Sequence, residues 1–485
     1  MTQPSVIITE LDGALGVLPP SAGRLLAVVG PASAGPIAVP ATFARVRDLV
    51  ATFEGGPAVE GAAHYINAYG RPVLFVRCDT SLDGAVTAVV ETNEGTSTST
   101  VTIGSMPKPN DDYELMLLIE HPGTVATAGI TYRLSYDGGR SLGPTTALGT
   151  ANSIDVPGAG DVSFELGPGT LEAGATYTAR TSSPGYSEAD LGAALTALGA
   201  SAVQWEICEI VGALTAGLID KIELGFSGLF ATGKYRSWIG HCRMPNSGET
   251  EAQYLTAMSA AFGSKATVFG SVYAGACKLS SAVTGRKSRR PASFPAAARE
   301  QSVSEEIDIA DVNLGSLVGV SIRDDNGNAD EHDESLNPGL DDARFAVLRT
   351  WDGLQGVYVN RPRLLCPEGS DFQLMPHRRV LNLAHAALRM YFIRRLNKPI
   401  RVNSTTGYIL ESEAREIESG ALAAMSSMLL AKPKASGVQF VLSRYDNLLS
   451  TKTITGSGRV IPLAYPEQIQ LEVGYFNPAL VVQAA

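Results

Sequence analysis

A chain of 485 residues, 45% hydrophobic and 18% charged, has the composition of a folded globular protein of roughly two to four domains, not of a disordered one. Its 38 Lys and Arg against 49 Asp and Glu give a net charge of -11 with no dominant like-charge block, which disfavours direct nucleic-acid binding. Cys78, Cys208, Cys242, Cys277 and Cys366 lie far apart without CxxC spacing and read as buried thiols of a chain made in a reducing cytoplasm, while the opening MTQPSVIITELDG has no leader pattern and Gly30, Pro31, Gly35, Pro36 and Pro40 break the uncharged run 25–44, against a membrane helix.

In chain order, Val6, Ile7 and Ile8 form a short β-prone segment, and the Gly/Pro-rich DGALGVLPPSAG separates it from the apolar run LLAVVG. That spacing suits an arm, which either pairs as an edge strand of its own domain or adds to another sheet. Leu25 to Val29 and Pro72 to Arg77 flank a helical stretch near Ala44 to Tyr69, a β-α-β rhythm typical of an α/β core. From Leu82 to Gly185 the chain turns Thr/Ser/Gly-rich, with short strands such as ELMLLIE and TYTART and a clean alternation of Ile130, Tyr132, Leu134 and Tyr136. A β-sandwich insertion is expected there, either projecting outward or forming an extra layer of the body. Mixed patterning resumes at Ser187, with a helix near Glu188 to Leu198, strands near Trp238 and Thr267 to Tyr273, and a helix between them beginning near Glu249.

Two stretches imitate chemical motifs. Gly228 to Tyr235, GLFATGKY, has the GxxxxGK spacing of a phosphate-binding loop, but Tyr235 stands where the magnesium-binding Ser or Thr belongs. The acidic run from Arg323 to Asp342 invites a calcium reading, yet counting from Asp324 puts Ala329 and Ser335 where an EF-hand needs Gly and Glu. A solvated loop, or one pairing with a neighbour's basic surface of the kind Arg286, Lys287, Arg289 and Arg290 provide, fits better. No GxSxG elbow, HExxH helix or paired-Cys zinc pattern occurs, and the six His residues lack ligand spacing. No catalytic residue, metal or cofactor is therefore expected.

The last third is regular. Val357 to Val359 suit a strand, and Pro376 opens a helix whose Leu381, Ala384, Leu388, Tyr391 and Phe392 predict a buried stripe, with Arg378, Asn382, His385 and Arg389 on other faces. Arg378 and Arg379 oppose the helix dipole in its first turn, so an acidic partner is expected, inside the chain or on another subunit, unless both are simply solvated. Ile417, Ala421, Ala424, Met428 and Leu429 outline a second helix closed by Pro433 and Gly437, and Val438 to Leu442 reads as a strand. In IQLEVGYF, Ile469, Leu471, Val473 and Tyr475 alternate with Gln470, Glu472 and Gly474, the pattern of a half-buried strand in need of a sheet.

GVYVNRPRLLCPEGSDF with HRRVLNLAHAALRMYFIRRL, the helix ending MSSMLLAKPKASG, and the closing LAYPEQIQLEVGYFNP together resemble the C-terminal part of contractile-tail sheath proteins, over about Arg344 to Pro478. The resemblance implies a mixed α/β, multidomain sheath-type core with an inserted β-sandwich and extended terminal arms. It divides the chain into an arm (1–20), a core begun at 21–81 and resumed at 187–343, the insertion (82–186), a C-terminal sheath domain (344–465) and a closing strand (466–485). It further implies a non-enzymatic subunit that polymerises helically around an inner tube and contracts, in a virion tail or injection particle assembled in the host cytoplasm. Its partners would be its own copies, the tube protein, and baseplate and tail-terminator proteins, with no membrane insertion. Val6, Ile7, Ile8, Ile469, Leu471 and Val473 would be donated to neighbouring sheets, and Arg378, Arg379 and Arg389 would make charged contacts to tube or neighbours. The alternatives are a non-contractile virion or surface structural protein and a nucleotide-dependent enzyme using residues 228–235.

Overall fold

The computed structural model describes residues 25–92, 97–324 and 326–475. The chain divides into two compact units, Met1–Ile393 and Arg394–Ala485.

The first unit is built on a six-stranded sheet in the order Gly270–Tyr273, Ser237–His241, Trp205–Ala213, Leu25–Gly30, Val73–Arg77, Ala41–Phe43. All neighbours run parallel except the last pair. Because side chains alternate across a strand, Leu26, Val28, Phe75 and Ile207 enter one apolar core while Leu25, Ala27, Leu74 and Ile210 enter another on the opposite face. Helices α1 (Val46–Phe53) and α2 (Pro57–Tyr69) cover the first face. The predicted single helical stretch thus breaks in two, at Glu54 and Gly56, whose φ of 60° and 109° no helix accommodates. Pro57 then opens α2, and left-handed Gly70 closes it. The second face carries α3 (Glu188–Ala200), α4 (Ala216–Ala231) and α5 (Glu251–Phe262). Capping boxes at Ser187 with Asp190 and at Thr250 with Gln253 start α3 and α5. A short helix, α6 (Ser293–Ser302), returns to the first face and is buried from Ser293 through Gln301.

Between Val73–Arg77 and α3 the strands paired among the described residues are antiparallel. Glu114–His121 and Thr176–Ser182 centre one sheet, and Val101–Ile103, Ser163–Leu166 and Ser153–Asp155 form another. Leu115, Leu117, Ile119 and Tyr177 of the first share an apolar cluster with Val101, Ile154 and Phe164 of the second. The segment leaves and re-enters the body at one place, where Leu82 and Gly185 exchange backbone hydrogen bonds of 3.2 and 2.9 Å.

Residues 344–393, which the sheath resemblance groups with the C-terminal domain, pack into the first unit. Ala346 continues the sheet edge, accepting from Ala274 and donating to Val272 at 3.0 Å each. Helix α7 (Met375–Ile393) ends this unit. In the second unit, α8 (Glu411–Leu429) lays Ala414, Ile417, Ala421, Met425 and Leu429 on an antiparallel hairpin, Gly437–Leu442 with Gly456–Ile461. Ala424 is only half-buried and Met428 is exposed, so the true stripe is offset from the predicted one by one residue at that turn.

Candidate assembly surface

Helix α7 buries polar residues of its first two turns, Arg378, Arg379 and Asn382, more deeply than most of its apolar stripe. Arg378 and Arg379 are 2% and 1% exposed, whereas of the predicted core stripe only Ala384 is buried and Leu381, Leu388, Tyr391 and Phe392 are half-buried. This burial has a physical cause. Arg379 donates to Glu206 at 3.0 Å and Glu300 at 2.8 Å, and to the carbonyls of Glu300 and Val303 at 2.9 and 3.1 Å, which spends nearly the whole guanidinium fork. Arg378 bonds Asn382 Oδ1 through two nitrogens and lies 5.4, 4.7 and 5.4 Å from the ring centres of Phe230, Phe269 and Phe372. Burial draws its pKa down to about 10, against the attraction of Glu223. The acidic partners expected for this Arg pair are therefore residues of the same chain. His385 is likewise half-buried, stacked on Tyr235 with ring centres 5.3 Å apart.

Arg389 differs from the other two. It is exposed and, among the described residues, has no carboxylate partner. Its guanidinium lies over Gly233, where a β-carbon would collide with it, and with Met390 and Arg236 it borders a groove of about 240 Å³ floored by Trp205 and Tyr235. Gly233 is a residue of the phosphate-loop spacing, and the structure removes that reading. Gly228 to Ala231 form the last turn of α4, so carbonyls rather than amides point at the loop, the end of a helix that repels phosphate. Lys234 donates to the carbonyl of Gly199.

Part of the acidic run pairs with cations of its own chain. Arg289 holds Glu331 at 2.5 and 2.9 Å, Lys278 holds Asp330, and Arg361 holds Asp341. His332 sits between Glu251 at 2.7 Å and Glu334 at 2.9 Å; burial lowers its pKa, but those two hydrogen bonds prevail and raise it to about 9. Among the described residues no group of three His, Cys, Asp or Glu side chains is placed to hold a metal ion, and no helix is long and apolar enough to cross a membrane.

In the second unit, Arg444 clamps α8 to the hairpin, donating to Glu411 at 2.7 Å and to both oxygens of Glu418 at 2.7 and 2.8 Å. Glu411 is pulled down to about 2 by Arg444 and Arg415. Among the described residues neither outer edge of the hairpin is paired, and Val441 and Ile461 are exposed. The chain then runs without regular structure to Tyr475, and Ile469, Leu471 and Val473 are 72%, 80% and 95% exposed. The half-buried strand that their alternation predicts is not formed within this chain among the described residues. Val6, Ile7 and Ile8 lie outside the described residues. The second hairpin strand, GSGRVI, escapes sequence reading because two glycines erase its pattern.

The DUF2586 N-terminal domain model matches residues 3–363, and the chain belongs to that family. Among solved structures, it is similar to a sheath tail protein of Desulfitobacterium hafniense, at 13% identity and a TM-score of 0.43 over 95% of this chain and 100% of that one. A sheath tail protein of Listeria innocua is similar at 12% identity and a TM-score of 0.43, over 92% and 96%. A chain of the contracted anti-feeding prophage baseplate is similar at 12% identity and a TM-score of 0.47, over 98% of each. No curated protein matches this sequence.

Proposed function

We propose that this chain is a structural subunit of a contractile tail sheath, polymerising head-to-tail around an inner tube and contracting to drive that tube through an envelope. The observation that carries the reading is the segment 469–475: alternating apolar side chains, almost fully solvated, that join no sheet among the described residues, in a unit whose hairpin has no third strand among those residues. Unpaired strand edges invite aggregation unless a partner strand covers them. Donation of this segment, and of Val6, Ile7 and Ile8, to the hairpins of neighbouring subunits would satisfy both needs. Each added ladder bond nets about 0.5–1.5 kcal/mol, and a non-closing contact repeats it along the tube.

In this reading Arg389, not the buried Arg pair, offers a charge to the tube or a neighbour. The segment 82–186 is an inserted sandwich carried by the body, tube and baseplate proteins are the other partners, and the work is mechanical, without nucleotide. The setting is a virion tail or injection particle. Electron microscopy of the purified protein tests the reading: wide hollow tubes are expected, and dispersed particles under all assembly conditions would overturn it. The same tubes, failing to shorten on a contraction trigger, would favour a non-contractile structural role.

A further inference from the structure

The central strand Trp205–Ala213 carries Glu209, fully buried, with no hydrogen bond to either carboxylate oxygen. Its ladder neighbours on the two sides are Val28 and Ile239, both apolar. Above it lie Gly61 of α2, where a β-carbon would stand 3.4 Å from one carboxylate oxygen, and Phe294 of α6, which packs on the same glycine. A buried, unpaired carboxylate is costly enough that the group is held neutral instead. Burial alone pushes the Glu209 carboxyl well above the usual carboxylate range.

The charged and titratable groups of the covering elements are committed elsewhere. Glu60 of α2 accepts from Ser281 at 2.8 Å and lies 3.7 Å from Arg290, and His64 is driven down to about 4 by burial. On α6, Arg299 donates to the carbonyls of Gly315 and Ser316 at 2.9 and 2.5 Å, and Glu300 is held by Arg379. On the next strand, His241 accepts from the Gly212 amide at 3.1 Å and is held near 4, chiefly by burial. Tyr273, on the edge strand, and Ser293, opening α6, leave their hydroxyls unpaired. The layer made by α2 and α6 therefore closes over a polar spot that it does not satisfy.

We propose that Glu209 is a proton-operated lock: the layer of α2 and α6 closes over the neutral carboxyl, and formation of the carboxylate opens it. The inference does not depend on the sheath reading. The closed layer holds one proton that the opened layer releases at neutral pH, so opening becomes about tenfold easier per pH unit above the ordinary glutamate range, until the closed-state value is reached. Hydrogen exchange of the α2 and α6 amides, corrected for intrinsic rates, reads this in the full chain from about pH 5 to about pH 9. The ratio of wild-type to Glu209→Gln opening is expected to rise about tenfold per pH unit; a ratio independent of pH overturns the proposal. The titrations of Glu300 and His332 are common to both proteins and cancel. Should Glu209→Gln fail to fold, infrared spectroscopy of the wild type decides. A protonated-carboxyl band that persists at about pH 9, where Glu300, raised only to about 7, is ionised, and that vanishes on unfolding supports the lock, and its absence overturns it.

Discussion

Arg379 and Glu300 face one another at 2.8 Å with both side chains sealed from solvent, joining α7 to α6 in the interior of the first unit. Arg379 also serves Glu206, so one positive charge answers two carboxylates, and burial still raises Glu300 to about 7. Removing the cation leaves an uncompensated buried acid. Arg379→Met is expected to destabilise the first unit by about 3–5 kcal/mol, read as a shifted denaturation midpoint, while adding Glu300→Met recovers much of the loss because an apolar pair replaces an ionic one.

The three arginines of α7 separate folding from assembly. Arg378→Glu places a carboxylate among Phe230, Phe269 and Phe372 and is expected to yield an unstable or insoluble monomer. Arg389→Glu, on the surface, is expected to leave the folding stability within about 0.5 kcal/mol of wild type and to weaken assembly only. Sedimentation together with thermal melting distinguishes them; unchanged assembly by folded Arg389→Glu protein returns Arg389 to simple solvation.

Alkaline pH should loosen the acidic segment. His332 gains its proton through Glu251 and Glu334, and its folded pKa, about 9, exceeds the ordinary value of 6.5. The stability it contributes is complete below about 6.5 and is lost as pH rises through about 9. Glu300, an acid raised from 4.5 to about 7, acts in the same direction at lower pH: its share falls as pH climbs from about 4.5 to about 7. Melting temperatures of wild type and His332→Gln are therefore expected to converge as pH rises from about 6.5 to about 9, and parallel curves across that window would exclude the His332 clamp.

Gly233 gives a local test of the seat beneath Arg389. Its φ is +81°, and a methyl group there meets the guanidinium, so Gly233→Ala is expected to cost about 1–2 kcal/mol by chemical denaturation.

What the amino-acid sequence disclosed follows from where polarity agreed with position. LLAVVG and PVLFVR are continuous apolar runs and become central parallel strands, and the alternation in Glu114–His121 becomes a half-buried antiparallel one. The strand WEICEIVGA was illegible because Glu206 and Glu209 interrupt a run that a doubly covered strand should keep apolar. Helix α6, SFPAAAREQS, carries charge yet is buried from Ser293 through Gln301, since its Arg299 and Glu300 find partners at long range, which no local pattern reveals. The burial of Arg379 on α7 has the same origin: spacing located the helix, but Glu206 and Glu300, far away in sequence, draw that arginine inside. For the proposed assembly surface, the alternation of Ile469, Leu471 and Val473 is plain in the sequence, whereas the second hairpin strand is hidden by the glycines of Gly456–Ile461.

The central claim is that the closing segment is donated between subunits, and deletion of residues 466–485 tests it most directly. Purified full-length and truncated proteins would be compared by electron microscopy, with circular dichroism to establish that the truncation is folded. The account predicts hollow tubes from the full chain and dispersed, folded particles from the truncation. Tubes of normal length and abundance from the truncated protein would contradict it.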